Sequence, residues 1–272
     1  MQDKKFSVSD INHIYNELSD ISGIDFSEYA FSFKMHRVLL FAENFNIPTL
    51  DDFVYKLNDS EVFASEFLKF VFVPQSEFFR DADFWNYLQS KLLPKLLLKK
   101  EVFVHFPECV GGEDFYSFLF FAGLFRSSHI FVTISVPVSG FENKIKSGVF
   151  EVKKIKDCLK NIEALNGIRN PEDVFFGKEN TVKINHLFRG NIFFENCDVL
   201  KQQHISKFDL VIFRNRMVYY DKNMQDKVLK KISASIKKNG ILVIGEKEKL
   251  NSSAGKFKHL QSNLSVYKKR IF

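Results

Sequence analysis

The chain is poor in the features that commit a protein to secretion, membranes or metals. Its three cysteines, Cys109, Cys158 and Cys197, are odd in number and in no C-x-x-C spacing, so a reduced protein is the simple reading. No apolar run approaches the roughly 18 residues of a membrane span. The opening MQDKKF has no apolar stretch with a cleavage site, so a cytoplasmic chain without membrane insertion is expected. The seven histidines show no i,i+4 or Cys/His clustering, and no metal site is expected. Repeats and low-complexity segments are absent too. What abounds is phenylalanine, with 33 copies spread through every segment, read as a compositional bias. Hydrophobic content of 45% and charged content of 26% are ordinary for a soluble globular chain, and 272 residues are ample for a buried core. The formal net charge of +6 favours acidic partners by long-range attraction. The clusters Lys153-Lys154-x-Lys156, Lys230-Lys231 and Lys268-Lys269-Arg270 read as solvated faces. They are not interleaved with aromatics as single-strand binding requires, so no nucleic-acid partner is expected.

The texture changes along the chain. Ser7-x-x-Asp10 is a capping-box pattern, followed at helical spacing by Ile11, Ile14, Tyr15, Leu18 and Ile21 and stopped by Gly23. Further helices are expected over Glu28–Asn44, over Leu50–Leu57, from about Ser60, and over Asp81–Leu98. From about residue 101 short apolar strands alternate with helices: strands Glu101–Phe106, His129–Val136, Ile192–Phe194, Asp209–Phe213 and Gly240–Ile244, with Leu264–Tyr267 at an edge. Helices are expected over Phe115–Phe125, Gly140–Ser147 and Asp221–Lys238, the last closed by Asn239-Gly240. Between Gly148 and Asn191 the pattern is irregular. The reading is an α/β protein in which an N-terminal all-helical domain, 1–90, precedes a doubly wound, Rossmann-like domain, 91–272.

Three segments stand out by their order. Ser76-Glu77-Phe78-Phe79-Arg80-Asp81 comes first, and Cys109-Val-Gly-Gly112-Glu113-Asp-Phe-Tyr116-Ser117 follows. Phe213-Arg214-Asn215-Arg216-Met-Val-Tyr219-Tyr220-Asp221 comes last. Together they resemble the signatures T-x-F-F-R-D, C-S-T-G-E-E-P-Y-S and C-R-N-V-M-I-Y-F-D of the CheR family. Those proteins are S-adenosylmethionine-dependent methyltransferases that esterify glutamates on chemotaxis receptors. The resemblance runs from about Phe6 to Tyr267. It implies a small antiparallel subdomain inserted at about 148–191, S-adenosylmethionine as cofactor with S-adenosylhomocysteine as product, and a chemoreceptor-type protein substrate.

The residues bear on this chemistry as follows. Open α/β sheets bind ligands at the carboxyl ends of strands, where Gly111-Gly112 opens a helix and lets backbone approach a ligand. Glu113 could hold the donor's amino group; the plain alternative is a tight turn with a solvated acid. Arg80 suits a carboxylate clamp because its fork pairs bidentately, and in the family it sits over the donor near the transferred methyl. Taken alone it reads as a surface ion pair. Arg214, Asn215 and Tyr219 end a strand on the same edge. Arg214 could attract the substrate carboxylate and Tyr219 could place its hydroxyl near the methyl, or the tyrosine is structural. Glutamate is already ionised at neutral pH, so no catalytic histidine is needed. Ser76 and Asn215 complete the implied donor set with Asp198, which stands where the family usually has an adenine-contacting Asn. Lys34, His36 and Arg37 match the family's receptor-docking basic face.

The chain also departs from the family. Pro107-Glu108 replaces a run of small residues, and Val132–Ser139 has no carboxylate where the family binds the donor ribose, leaving Glu142 or Glu108 to compensate. Val38-Leu39-Leu40-Phe41 replaces a second basic pair. These departures keep open a second reading, a degenerate methyltransferase fold serving as a binding or regulatory module.

Overall fold

A computed structural model describes residues 6–74, 77–168, 170–178, 180–250 and 255–270. The chain divides into two compact units, Met1–Val73 with Met217–Gln225, and Pro74–Arg216 with Asp226–Phe272.

The first unit is helical: α1 Val8–Ser22, α2 Phe31–Asn44, α3 Leu50–Asp59 and α4 Glu61–Val71. Ser7 and Asp10 form the reciprocal capping box that starts α1, and Gly23 at φ 68° ends it. Thr49 and Ser60 accept from backbone N–H groups to start α3 and α4. The helix expected from Glu28 begins three residues later. Glu28 and Ala30 are spent on pairing with 217–225: Asp221 N–H donates to Glu28 O and Ala30 N–H to Tyr219 O, both at 2.9 Å. The phenylalanine bias acquires a use here. The Phe41 ring lies 4.8–5.9 Å from those of Phe53, Phe63 and Phe67, forming the core that α1–α4 enclose.

The second unit opens with α5 Ala82–Tyr87, a π-turn over Leu88–Leu92, and α6 Leu93–Leu96. Sequence periodicity implies one helix here. Pro94 has no N–H to donate, and the ladder widens in the turn before it. There follow β1 Val102–Phe106, α7 Glu113–Leu124, β2 Ile130–Val136, α8 Phe141–Ser147, β3 Phe150–Glu151 and α9 Lys153–Glu163. The remainder is β4 Phe175–Lys178, β5 Thr181–Ile184, β6 Asn191–Asn196, β7 Phe208–Ile212, α10 Lys222–Ser235, β8 Ile236–Val243, β9 Phe257–His259 and β10 Val266–Lys269. The main sheet runs β6-β2-β1-β7-β8-β10-β9. Its first five strands are parallel and β10 and β9 antiparallel. It is the Rossmann-like sheet expected, and strand order reverses between β1 and β7, where such sheets open a ligand crevice. A second sheet, β3-β5-β4, is antiparallel and lies between 148 and 191 together with α9, whose helical pattern was not legible in the lysine-rich sequence. Helix α10 ends before Lys238 because Ile236 already pairs with Phe208 in β8. Among the described residues no helix is long and apolar enough to cross a membrane.

Candidate active site

Two of the three motif segments and part of the third meet at the carboxyl ends of β1 and β7. The turn after β1 carries Glu108 at φ 50° and Gly112 at φ 89°, then enters α7 at Glu113. Glu113 is 1% exposed, and its carboxylate folds back on Gly111 so closely that a Cβ there would lie 2.1 Å from Oε2. A side chain at that position would displace the Glu113 carboxylate. Tyr116 anchors the same helix, its hydroxyl donating to Ile145 O at 2.7 Å, with its pKa pushed up to about 12 by burial. Burial, with the Glu113 and Asp114 carboxylates, pushes the Cys109 thiol well above its usual range, so it is no nucleophile.

The Arg80 loop is tied down on both sides. Phe79 N–H donates to Ser117 Oγ at 3.0 Å, and Ser117 Oγ donates to Glu113 O at 2.7 Å. Phe79 at φ 52° and Asp81 at φ 59° flank the arginine in the left-handed region, a strain the surrounding contacts must hold. Arg214 supplies most of that hold. Its guanidinium, 1% exposed, donates to Asp114 Oδ1 at 2.8 Å, to Asp81 Oδ2 at 2.5 Å and to Arg80 O at 2.8 Å. It lies 5.1 Å from the Phe84 ring centroid. The position of Arg214 is thus that of a brace between loop and helix, not of a free carboxylate receptor. The half-buried Arg80 guanidinium, by contrast, has no hydrogen-bond or ion-pair partner among the described residues.

The other expected residues fall as follows. Asn215 takes φ 57°, a conformation asparagine tolerates; its N–H donates to Glu248 Oε2 at 2.9 Å, and its side-chain amide nitrogen is buried with no hydrogen-bond partner among the described residues. Asp198, just past β6, accepts from Leu200 N–H at 2.7 Å and keeps its second oxygen available. Ser76 lies outside the described residues. Tyr219 belongs to the helical unit, its ring 4.7 Å from that of Phe33. In that unit Lys34 is 6% exposed, its ammonium 3.3 Å from Asn12 Oδ1, and burial lowers its pKa despite Asp221 and Asp25. Arg37 donates to Phe70 O and stacks 3.8 Å over the Phe70 ring. Of the three proposed docking cations, only His36 is exposed to solvent.

Sequence reasoning missed the partners of two departures. Arg216 stands where the signature has Val, and Glu108 stands in the small-residue run. The two form a buried ion pair, N–O 2.6 Å, with side chains 11% and 2% exposed. The charge that Glu108 brings to the turn is therefore neutralised, and their opposite signs were the available clue. Glu142 caps its own loop, accepting from Gly140 N–H at 2.8 Å, so it does not reach back as a ribose acid.

The donor's amino-acid end suits this rim. Glu108, Glu113, Asp114 and Asp81 outnumber Arg80, Arg214 and Arg216 by one charge, matching a ligand with a sulfonium, an ammonium and one carboxylate. Glu113 and the glycine turn would hold the ammonium, and Arg80 the carboxylate or the approaching acceptor. The space within the turn is small, about 40 Å³ between Glu108, Gly112, Glu113 and Arg216. A larger cavity, about 260 Å³, opens beside Asp81 and Arg214 toward Glu246 and Leu264.

Residues 74–266 match the family described as CheR methyltransferase, SAM binding domain. The Pseudomonas putida protein Cher3 is 25% identical, over 85% of this chain and 85% of its own length. A Listeria monocytogenes chemotaxis protein methyltransferase is 23% identical over 85% and 87%. One from Campylobacter jejuni is 24% identical over 99% and 100%. By this match the chain belongs to the CheR methyltransferase family, enzymes whose methyl donor is S-adenosylmethionine.

Proposed function

We propose that the chain methylates glutamate side chains of a chemoreceptor-type protein, a reading that rests on the Pro74–Arg216 and Asp226–Phe272 unit alone. The observation that carries it is the contrast between two motif arginines, one in the loop before α5 and one after β7. Arg214 is consumed in bracing, whereas the Arg80 guanidinium, on a loop tied to α7 through Phe79 and Ser117, has no partner among the described residues. A guanidinium there can orient a carboxylate as the attacking anion without taking its charge away. When bound, the donor supplies an electrophilic methyl on a positive sulfur and leaves as a neutral thioether. One carboxylate oxygen gains the C–O bond as the C–S bond breaks, and no proton moves, which accords with a rim that has no histidine base. The buried rings of Phe78 and Phe79 beside the arginine help exclude water from it. The names of the Listeria and Campylobacter relatives favour the chemoreceptor-type substrate.

The narrow turn and the carboxylate-free end of β2 favour a second reading, a donor site too weak to turn over. One pair of measurements separates them: calorimetric titration with S-adenosylhomocysteine, and transfer of labelled methyl to receptor cytoplasmic fragments. Micromolar binding with ester formation is expected. Arg80→Ala should lower transfer at least about 100-fold while leaving the unfolding midpoint nearly unchanged, as a surface substitution does. Undiminished transfer in that variant would remove Arg80 from the site. No binding at millimolar ligand, with no ester formed, would establish the second reading.

A further inference from the structure

On the face of the main sheet away from α7, three strands and a loop gather four polar side chains into an apolar setting. His105 comes from β1, Ser135 from β2, Glu195 from β6, and His204 from the loop that returns toward β7. Register explains the meeting, since Ser135 pairs with Glu195 across β2 and β6 while His105 pairs with Thr133, two residues earlier on β2. His204 Nε2 lies 2.9 Å and 3.1 Å from the two Glu195 oxygens. His105 Nε2 is 3.8 Å from Glu195 Oε1 and 2.6 Å from Ser135 Oγ, and the Ser135 hydroxyl donates to Glu195. One ligand atom each from His105, Glu195 and His204 fall within 4.8 Å of one another.

We infer that His105, Glu195 and His204 form a binding site for a zinc-class divalent cation, with water completing a tetrahedron. Two imidazoles and one carboxylate are a donor set that zinc takes with an open fourth position. Ligands at about 2.0–2.2 Å from such an ion stand roughly 3.3–3.5 Å apart. The longest of the present spacings, within 4.8 Å, has to close by about 1.3–1.5 Å, a movement shared between two ligands. The imidazoles are held for it: the His105 ring, fully buried, stacks on Phe208 at 4.3 Å, and His204 packs edge-on to the same ring at 5.1 Å. An ion has a way in, because Glu195 also lines an open cavity of about 330 Å³ with Phe103, Phe131, Thr133, Phe193 and Lys207. Lys207 is the opposing feature: its ammonium, 5.1 Å from the Phe208 ring, repels a cation and sets the affinity lower than the ligands alone would. The site is independent of the donor rim and of the methyl-transfer reading.

The test is calorimetric titration of the chelator-treated, full-length protein with zinc chloride, repeated with cobalt and read by visible absorption. One ion per chain at micromolar affinity is expected, with the intense visible bands of four-coordinate cobalt. His204→Ala and Glu195→Gln should each weaken binding by more than about tenfold, the loss that even outer-sphere partners cause. Lys207→Met should tighten it several-fold, which nonspecific surface binding would not show. Absence of one-to-one binding, or binding indifferent to both ligand substitutions, would overturn the site and leave the cluster as a hydrogen-bonded strut.

Discussion

The ends of β1 and β2, adjacent strands of one sheet, differ in how completely they are furnished for a nucleotide-like donor. After β1 the backbone takes the special conformations that the motif glycine and its neighbours permit, and a buried acid, Glu113, heads α7. Arg214 and Ser117 lock the Arg80 loop against it. After β2 the chain runs Pro137-Val138-Ser139 with no carboxylate. On the proposed reading, the amino-acid end of the ligand would be met by preorganised charge and the ribose end by little more than backbone. Preorganisation has a structural cost at the first end, where charges are buried and left-handed residues are held. The second end costs the fold nothing and gives the ligand correspondingly less.

That contrast can be broken most forcefully at Arg214. Arg214→Ala strands Asp81 and Asp114 without their cation and should cost about 3–5 kcal/mol of stability in urea unfolding. A loss below about 1 kcal/mol would show that the loop is held by packing instead. Next comes the pair Glu108 and Arg216. Either single truncation to Ala should cost about 3 kcal/mol, whereas Glu108→Ala with Arg216→Val should recover most of it and widen the turn. S-adenosylhomocysteine binding should then tighten in the double variant; unchanged affinity would mean the pair does not gate the turn. A charged acceptor restored at the poor end, Ser139→Asp, should strengthen binding of the same ligand about tenfold. No change would place the ribose elsewhere.

The smallest expected effect lies at the far end of β7. Asp209 there accepts from Lys99 at 2.5 Å, Lys237 at 2.8 Å and Phe103 N–H at 2.9 Å. Burial raises its pKa, but those three donors together outweigh burial and hold it below the usual carboxylate range. Its contribution is therefore complete above the unfolded value, about 3.9, and disappears as pH falls through the lower folded value. Asp209→Asn should cost about 1 kcal/mol at pH 7, since both lysines are partly solvated, and progressively less as pH falls through the folded value. A cost independent of pH would deny the charge any role. Methyl transfer should be indifferent to this variant, in contrast to those at the strand's other end.

Much of this was legible without coordinates, for local reasons. The capping box at Ser7, the stop at Gly23, the apolar runs of β1, β2 and β7 and the glycine turn before α7 are short-range patterns, and short-range sterics decide them. The order of the three motif segments identified the family that the match over 74–266 shows. Helix α9 was hidden because its lysines mask the apolar positions, and the π-turn before Pro94 because periodicity assumes an unbroken ladder.

What sequence could not assign was partnership. Arg214 is conspicuous as a motif residue, yet only the fold reveals that Asp81 and Asp114 occupy it and leave Arg80 free. Lys34 looks like a surface cation until α1 and α2 enclose it. Glu108 and Arg216, or His105 and Glu195, are too far apart in the chain for spacing to relate them. By itself the sequence determined most of the elements, the parallel sheet and the family, since these follow from local propensity and pattern. Which charges are spent and which remain available was decided only by tertiary structure, because ion pairing and burial depend on distances through space that strand register alone sets.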